Sequence, residues 1–135
     1  MKKLNNFVQQ NISKSSNLYT LRGMHYQVGV YAENKYIRCN KGEIFDVIID
    51  IRKNSPSFLS YETFELTEDN YKALYVPKGF ATAFLTLKSF TEVLYLMSDN
   101  YKPEAARGIR FNDPIIQEAF PFKPKVISEK DLNFP

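Results

Sequence analysis

The residue with the clearest capacity for chemistry is His25, the only histidine in the sequence. It lies in the strand-like run LRGMHYQ at residues 21–27, which also contains the guanidinium of Arg22 and the amide of Gln27. An imidazole can take up or release a proton near neutral pH, so His25 could act as an acid or a base. A structural histidine, with its hydrogen bonds satisfied inside the fold, is the alternative interpretation.

The spacing of Arg22 and His25 raises a geometric problem. Residues three apart in a flat strand point to opposite faces, so these two side chains would diverge. Gly23 stands between them and would permit a bulge or a strong twist. We therefore expect an irregularity at Gly23 if Arg22 and His25 serve one site.

A metal centre is disfavoured, because one histidine and one cysteine cannot supply an ordinary transition-metal ligand set. We expect neither a metal nor another cofactor. Two further candidates are Lys35, which opens a strand-like run, and Tyr95, which shares a strand face with Val93 and Met97. Taken alone, each fits an ordinary role: a solvated lysine at a strand end and a tyrosine packed in a core.

The elements that must position these residues are short, β-like runs separated by turn signals. The clearest is 43–52, where Phe45, Val47 and Ile49 alternate with Asp46, Ile48 and Asp50, which predicts one face in a core and the other in polar surroundings or solvent. With no long helical pattern, this predicts an all-β fold, an antiparallel sandwich or barrel. The other runs are 18–27, 35–39, 60–66, 73–76, 81–87 and 91–97, and 115–119 fits one helical turn.

The length of 135 residues predicts one domain covering 1–135. Within it, residues 1–16 are expected to form an extended N-terminal arm, and the Pro-rich tail 102–135 is expected to wrap the barrel. A net charge of +3 without a basic block excludes an extensive nucleic-acid surface but suits an anionic small molecule. The N-terminus lacks the apolar run of a signal peptide, so we expect a cytoplasmic protein without a membrane span.

Seven segments in register resemble the dTDP-4-dehydrorhamnose 3,5-epimerase family of nucleotide-sugar enzymes. The resemblance implies a cupin-like jelly roll that forms homodimers, a nucleotide-sugar substrate, and a place in polysaccharide precursor synthesis. The segments are Phe7-Val8-Gln9 with Asn11 and Ser13, LRGMHYQ at 21–27, KGEIFDVIIDIRKNSP at 41–56, YVPKGFATAFL at 75–85, LYLMSDNY at 94–101, GIRFNDP at 108–114 and SEKDLNFP at 128–135.

The resemblance also implies a role for each catalytic residue. His25 is the base, Asp131 orients it, Tyr95 is the acid on the opposite face of the sugar, and Lys35 steadies the enolate oxygen. These types suit the chemistry, because a weakly acidic proton next to a ketone needs both a base of near-neutral pKa and a positive group at the developing oxyanion. Substrate contacts are implied for Arg22, which would hold the diphosphate, and for Gln9, Asn11, Tyr101 and Thr82.

The sequence departs from the family pattern in two places. The family's GFAHGF is here GFATAF at 79–84, so Thr82 stands where a histidine is usual, and a threonine can form hydrogen bonds but cannot carry charge. The family's usual N-terminal extension, which helps bind the nucleotide, does not precede Phe7 in this sequence. We therefore expect altered contacts to the nucleotide.

These observations lead to one principal hypothesis and two alternatives. The principal hypothesis is an epimerase acting at C3, C5 or both of a nucleotide-linked 4-keto-6-deoxy sugar. The first alternative is a keto-sugar 3,4-isomerase, which needs similar acid–base groups but moves the carbonyl. The second is a cupin that binds a sugar or stabilises another subunit without efficient catalysis.

Overall fold

The computed structural model describes residues 7–134, which form two β-sheets packed face to face. The first six residues of the predicted N-terminal arm and Pro135 lie outside this range. The strands are β1 (Gln9–Ser15), β2 (Thr20–Gln27), β3 (Lys35–Lys41), β4 (Glu43–Asp50), β5 (Tyr61–Thr67), β6 (Ala73–Val76), β7 (Phe80–Thr86), β8 (Thr91–Met97), β9 (Ala106–Gly108) and β10 (Val126–Ile127).

The strand order is that of an antiparallel sandwich. One sheet has the order β1-β8-β3-β6, and the other has the order β10-β2-β7-β4-β5, with β9 also paired to β2. Every pairing is antiparallel except the short one between β10 and β2. The predicted all-β, cupin-like jelly roll is therefore confirmed, and each strand-like run of the sequence corresponds to a strand.

Alternation along β3 shows how the sequence fills the space between the sheets. Ile37 and Cys39 are 3% and 1% exposed and point inward, whereas Tyr36 and Arg38 lie on the outer face of the four-stranded sheet. Inward side chains of β4 and β7 meet them from the other sheet, among them Ile44 and Phe84. Burial of one such aliphatic side chain contributes about 1.5–3 kcal/mol to folding.

Both faces of β4 are buried, so the face that carries its acids is enclosed in the protein and is not open to solvent. Val47 and Ile49 pack outward, against a second core that includes Ile116 and Ala119 of the C-terminal segment. Asp46 and Asp50 point the other way and are 0% and 1% exposed. The alternation marked the strand correctly, but it could not reveal that these acids are enclosed.

The segment after Tyr101 covers the outer face of the second sheet. It contains 3₁₀ turns at Pro103–Ala105 and Gln117–Ala119, the second within the predicted helical turn at 115–119. It ends in a short helix, α1 (Glu129–Leu132). Among residues 7–134, no helix is long and apolar enough to cross a membrane.

Candidate active site

A cavity of about 220 Å³ lies between the two sheets at one end of the sandwich. The second sheet contributes Arg22, His25 and Thr82 to its wall, and the first sheet contributes Lys35 and Tyr95. Asp131 reaches the same cavity from α1. The structure thus brings together six sequence-predicted site residues that come from five separate elements.

His25 and Asp131 form the closest polar contact in the cavity. Nε2 of His25 lies 2.7 Å from Oδ1 of Asp131, although the two residues are 106 positions apart in the sequence. The side chain of Asp131 is 6% exposed, whereas that of His25 is 41% exposed and open to the cavity. An ionised carboxylate only accepts hydrogen bonds, so Nε2 carries a hydrogen, and in the neutral form of the imidazole Nδ1 has a free lone pair.

Asp131 is held in its ionised form by its surroundings. Burial alone would raise the pKa of this carboxyl. The hydrogen bond from His25, the charge of its imidazolium form, and hydrogen bonds with Gly23 and Ser128 together outweigh burial and lower the pKa below its ordinary value. The backbone N–H of Gly23 donates to Oδ2 at 3.2 Å. Both carboxylate oxygens therefore have a donor, which fixes the carboxylate and through it the imidazole ring.

Two local features place Asp131 beside β2. Val126 of β10 pairs in parallel with Thr20, which brings the chain end alongside the strand that carries His25. Ser128 then caps α1, because its Oγ accepts a hydrogen bond from the backbone N–H of Asp131 at 3.2 Å. Serine is a favoured residue at this position, where its oxygen satisfies an otherwise unpaired N–H.

A bulge in β2 resolves the expected conflict between Arg22 and His25. Gly23 pairs with Ala83 but His25 pairs with Thr82, so the register shifts by one residue within β2 and both side chains face the cavity. Gly23 has a φ of +118°, and a Cβ there would lie 2.6 Å from the carbonyl oxygen of Thr82. Only glycine fits, because both the backbone conformation and the close approach exclude a side chain.

Arg22 is tethered to the edge of the first sheet. Its Nε donates to Oγ of Ser15 at 3.3 Å, and its Nη2 donates to the carbonyl oxygen of Lys14 at 3.4 Å. The guanidinium has five N–H donors, so others remain for an anion in the cavity. Its charge also offsets part of the rise that burial causes in the pKa of Tyr95.

Tyr95 lies on β8, so it approaches the cavity from the sheet opposite His25. Burial raises the pKa of its phenol, and the positive charge of Arg22 and a hydrogen bond with Ser13 offset only part of that effect. The phenol therefore stays protonated at neutral pH and can donate a proton. An imidazole base on one wall and a phenol acid on the other are the groups that stereochemical inversion requires.

Lys35 stands at the start of β3 and forms an ion pair with Glu33. Its Nζ lies 3.4 Å from Oε1 of Glu33, and the two side chains are 15% and 7% exposed. An ammonium has three donors, so this ion pair leaves others for a ligand oxygen in the cavity. A cation held there can stabilise negative charge that develops on such an oxygen.

Thr82 is hydrogen-bonded to Asp46, the buried acid of β4. Its Oγ1 donates to Oδ1 of Asp46 at 2.8 Å, and Oδ2 of Asp46 is buried without a hydrogen-bond partner. Burial raises the pKa of Asp46 to about 7, because the hydrogen bond from Thr82 and the charge of Lys35 offset only part of the desolvation. Behind the wall that carries His25 and Thr82 there is therefore a carboxyl that is substantially protonated at neutral pH.

A second cavity, of about 280 Å³, adjoins the first and shares His25, Lys35 and Tyr95 with it. The remaining sequence-predicted residues line this cavity: Gln9, Asn11 and Tyr101. Gln9 fixes the other two, since its Nε2 donates to Oδ1 of Asn11 at 3.3 Å and its Oε1 accepts from the backbone N–H of Tyr101 at 2.8 Å.

Several residues in or behind the walls of the two cavities were not singled out from the sequence, among them Glu33, Asp46, Lys130 and Phe134. Glu33 lies in a loop, and Asp46 looked like one polar position among several in a strand. Lys130 donates to Oη of Tyr101 at 3.0 Å and lies over its ring, and the ring of Phe134 meets His25 edge-on at 5.8 Å. Lys130 and Phe134 belong to the SEKDLNFP segment, and the resemblance of this segment to a known family is the sequence signal that could have identified them.

Comparison with known proteins matches the whole chain to one family. The model of the dTDP-4-dehydrorhamnose 3,5-epimerase family covers residues 1–135. A curated relative with that name from Escherichia coli is 44% identical over 126 residues, which are 93% of this chain and 68% of the relative. Over several such relatives, the chain spans about two thirds of their length.

Solved structures agree with this match. The dTDP-4-dehydrorhamnose 3,5-epimerase of Bacillus anthracis, solved with TDP and pyrophosphate bound, superposes with a TM-score of 0.94 at 38% identity and covers 97% of this chain and 75% of its own. A Legionella pneumophila 3,5-epimerase in complex with dTDP-4-keto-L-rhamnose gives 0.90 at 35% identity, covering 96% and 69%. By sequence and by fold, the chain belongs to the dTDP-4-dehydrorhamnose 3,5-epimerase family.

Proposed function

We propose that this protein is an epimerase that inverts C3, C5 or both of a dTDP-linked 4-keto-6-deoxy sugar. The observation that carries the proposal is the pair formed by His25 and Asp131 at 2.7 Å, placed across a cavity from Tyr95. Family membership supplies the substrate class, because the relatives are named for this reaction. The geometry supplies a residue for each proton transfer.

The first step is removal of the proton next to the ketone. Nδ1 of His25 takes the proton from the sugar carbon, and the electron pair left behind moves onto the ketone oxygen to form an enolate. Asp131 stabilises the imidazolium that results, and Lys35 stabilises the enolate oxygen. Acid–base assistance of this kind is typically worth about 10²- to 10⁴-fold in rate.

The second step returns a proton from the other side. The phenol of Tyr95 donates its proton to the same carbon while the enolate collapses to the ketone, so the configuration inverts. Solvent then reprotonates the phenolate and removes the proton from His25. The raised pKa of Tyr95 suits this role, since the phenol is fully protonated before the step.

Binding of the nucleotide diphosphate is assigned to cationic and aromatic groups around the two cavities. Arg22 lines the first cavity, and Lys130 lines both, beside the exposed ring of Tyr101. Arginine pairs with phosphate oxygens in a bidentate manner, and an exposed aromatic ring offers a base a stacking surface. Gln9 and Asn11 add amide groups that can bind sugar hydroxyls.

We also propose that the protein forms a homodimer through the outer face of the four-stranded sheet. Ile12 and Tyr36 are 52% and 39% exposed on that face, and Leu94 and Leu96 lie between them on β8. A contiguous apolar surface of this kind is typical of subunit contacts. Light scattering should give twice the chain mass for the native protein and the single-chain mass for Ile12→Asp.

Solvent exchange tests the proposed reaction directly. The protein is incubated in D₂O with a dTDP-linked 4-keto-6-deoxy sugar, and the sugar is analysed by NMR. Deuterium at C3 or C5, together with inverted coupling constants at that carbon, is the expected result. A carbonyl moved from C4 to C3 would instead indicate a 3,4-isomerase, and tight binding without exchange would indicate a non-catalytic protein.

A further inference from the structure

We propose that Glu33 is a positioning residue that holds the ammonium of Lys35 at the reacting oxygen. The inference rests on the proposed function, in which Lys35 stabilises the enolate. Among residues 7–134, Glu33 is the only acid within ion-pair distance of Lys35, at 3.4 Å from Oε1 to Nζ. Glu33 lies beside His25 and Lys35 in the wall of the second cavity.

The loop that carries Glu33 is fixed by its neighbour. The backbone N–H of Asn34 donates to Oγ of Ser98 at 2.8 Å, and the N–H of Ser98 donates back to the carbonyl oxygen of Asn34 at 3.0 Å. Oδ1 of Asn34 accepts from the N–H of Lys78 at 2.9 Å. The backbone next to Glu33 is thus tied to the end of β8 and to the turn before β7, which limits where the side chain of Glu33 can lie.

Burial of this carboxylate is costly in itself. The side chain is 7% exposed, and Oε2 is buried without a hydrogen-bond partner. Burial raises the pKa of Glu33, and the charge of Lys35 offsets only part of the shift. A neutral side chain would not incur this desolvation cost. The negative charge of Glu33 therefore contributes favourably only through its attraction for the ammonium of Lys35.

The ion pair solves a positional problem for Lys35. A lysine ammonium sits on a flexible four-carbon stem, whereas oxyanion stabilisation depends on where the donor stands when charge develops. Other charged or titratable groups face Lys35 as well: Asp46 from β4, and His25, Tyr95, Arg22 and Lys130 around the cavity. Asp46 is hydrogen-bonded to Thr82 and substantially protonated, which leaves Glu33 as the group that fixes Nζ.

Glu33→Gln tests the proposal, because it keeps the shape of the side chain and removes its charge. We expect kcat to fall by between about tenfold and about 10²-fold, with KM changed less than about twofold, since a misplaced donor affects the transition state more than substrate binding. Glu33→Asp, which keeps the charge on a shorter stem, should recover part of kcat. Glu65→Gln is the control for the loss of a carboxylate charge, because Glu65 is exposed on β5 and lines neither cavity.

A second measurement does not depend on turnover. Reductive methylation of the folded protein, followed by mass spectrometry, should modify Lys35 several-fold faster in Glu33→Gln than in the native protein, with Lys14 unchanged. Native protein that shows no exchange with any sugar would refute the proposed function, while the labelling result would still test the role of Glu33. Unchanged labelling of Lys35, kcat within about twofold of native, or equal losses in Glu33→Gln and Glu33→Asp would each overturn the proposal.

Discussion

Replacement of Asp131 by asparagine should disable the base while leaving the fold in place. The native carboxylate accepts from Nε2 of His25 at 2.7 Å and from the N–H of Gly23 at 3.2 Å. An asparagine amide has one accepting atom and one donating group for these two positions. With its oxygen facing Gly23, its NH₂ donates to Nε2, which moves the ring hydrogen to Nδ1 and removes the lone pair that the reaction needs.

The structure sets the size of the expected loss. Asp131→Asn affects both the tautomer of His25 and the stabilisation of the imidazolium, so the variant should lose the whole rate enhancement that acid–base catalysis provides. We expect kcat to fall by about 10²- to 10⁴-fold, equivalent to about 3–5.5 kcal/mol of transition-state stabilisation. KM should change little, because Asp131 reaches the reacting carbon only through His25.

The assay is the initial rate of deuterium incorporation at C3 and C5 of the dTDP-linked sugar. Glu129→Gln is the matched control, because it removes a charge from an exposed residue of the same short helix. Thermal unfolding at neutral pH should show that both variants are fully folded at the assay temperature. An Asp131→Asn protein that is folded and exchanges within about threefold of the native rate would refute the proposed role of the pair.

Three further substitutions have distinct expected outcomes. Tyr95→Phe should still exchange deuterium into the sugar with retention of configuration, because His25 can return a proton to the face from which it removed one. Formation of the epimer should fall by about 10²-fold or more. Equal losses of exchange and of epimer formation would contradict the assignment of Tyr95 as the acid. Thr82→Val should leave Asp46 buried with neither oxygen hydrogen-bonded. We expect the free energy of unfolding to fall by about 1–3 kcal/mol relative to the native protein, measured by urea unfolding, and an unchanged value would contradict the role of this hydrogen bond. Burial raises the pKa of Asp46 from 3.8 to about 7, so between these pH values the folded protein retains a proton that the unfolded chain releases. The contribution of this group to stability is therefore highest below pH 3.8 and falls as the pH rises to about 7. Asp46→Asn should therefore weaken the decline of the melting temperature across that interval, and an unaltered pH profile would argue against the buried carboxyl.

The elements that carry the cavity were predictable because their patterns are local. Turn signals and alternation located β4 and β8, and with β8 the position of Tyr95. The conflict between Arg22 and His25 was also visible in the spacing, together with its resolution at Gly23, where the register shift occurs. Such features depend on residues a few positions apart.

Contacts between distant segments could not be predicted from local sequence patterns. No spacing rule joins His25 to Asp131, and only likeness to a known family pointed to that pair before the structure was available. Glu33 has no local pattern, because its significance arises from the position of Lys35 two residues later and from burial by other elements. The enclosure of Asp46 could not be predicted either, because it results from packing of the inward face of β4 against the other sheet, whereas the C-terminal segment covers the opposite face.

The most direct test of the account is the rate at which solvent deuterium enters C3 or C5 of a dTDP-linked 4-keto-6-deoxy sugar, compared between the native protein and His25→Asn. We expect exchange with inversion in the native protein and a loss of at least about 10²-fold in the variant, with the fold retained. Exchange at the native rate by a folded His25→Asn protein would show that a group other than His25 removes the proton.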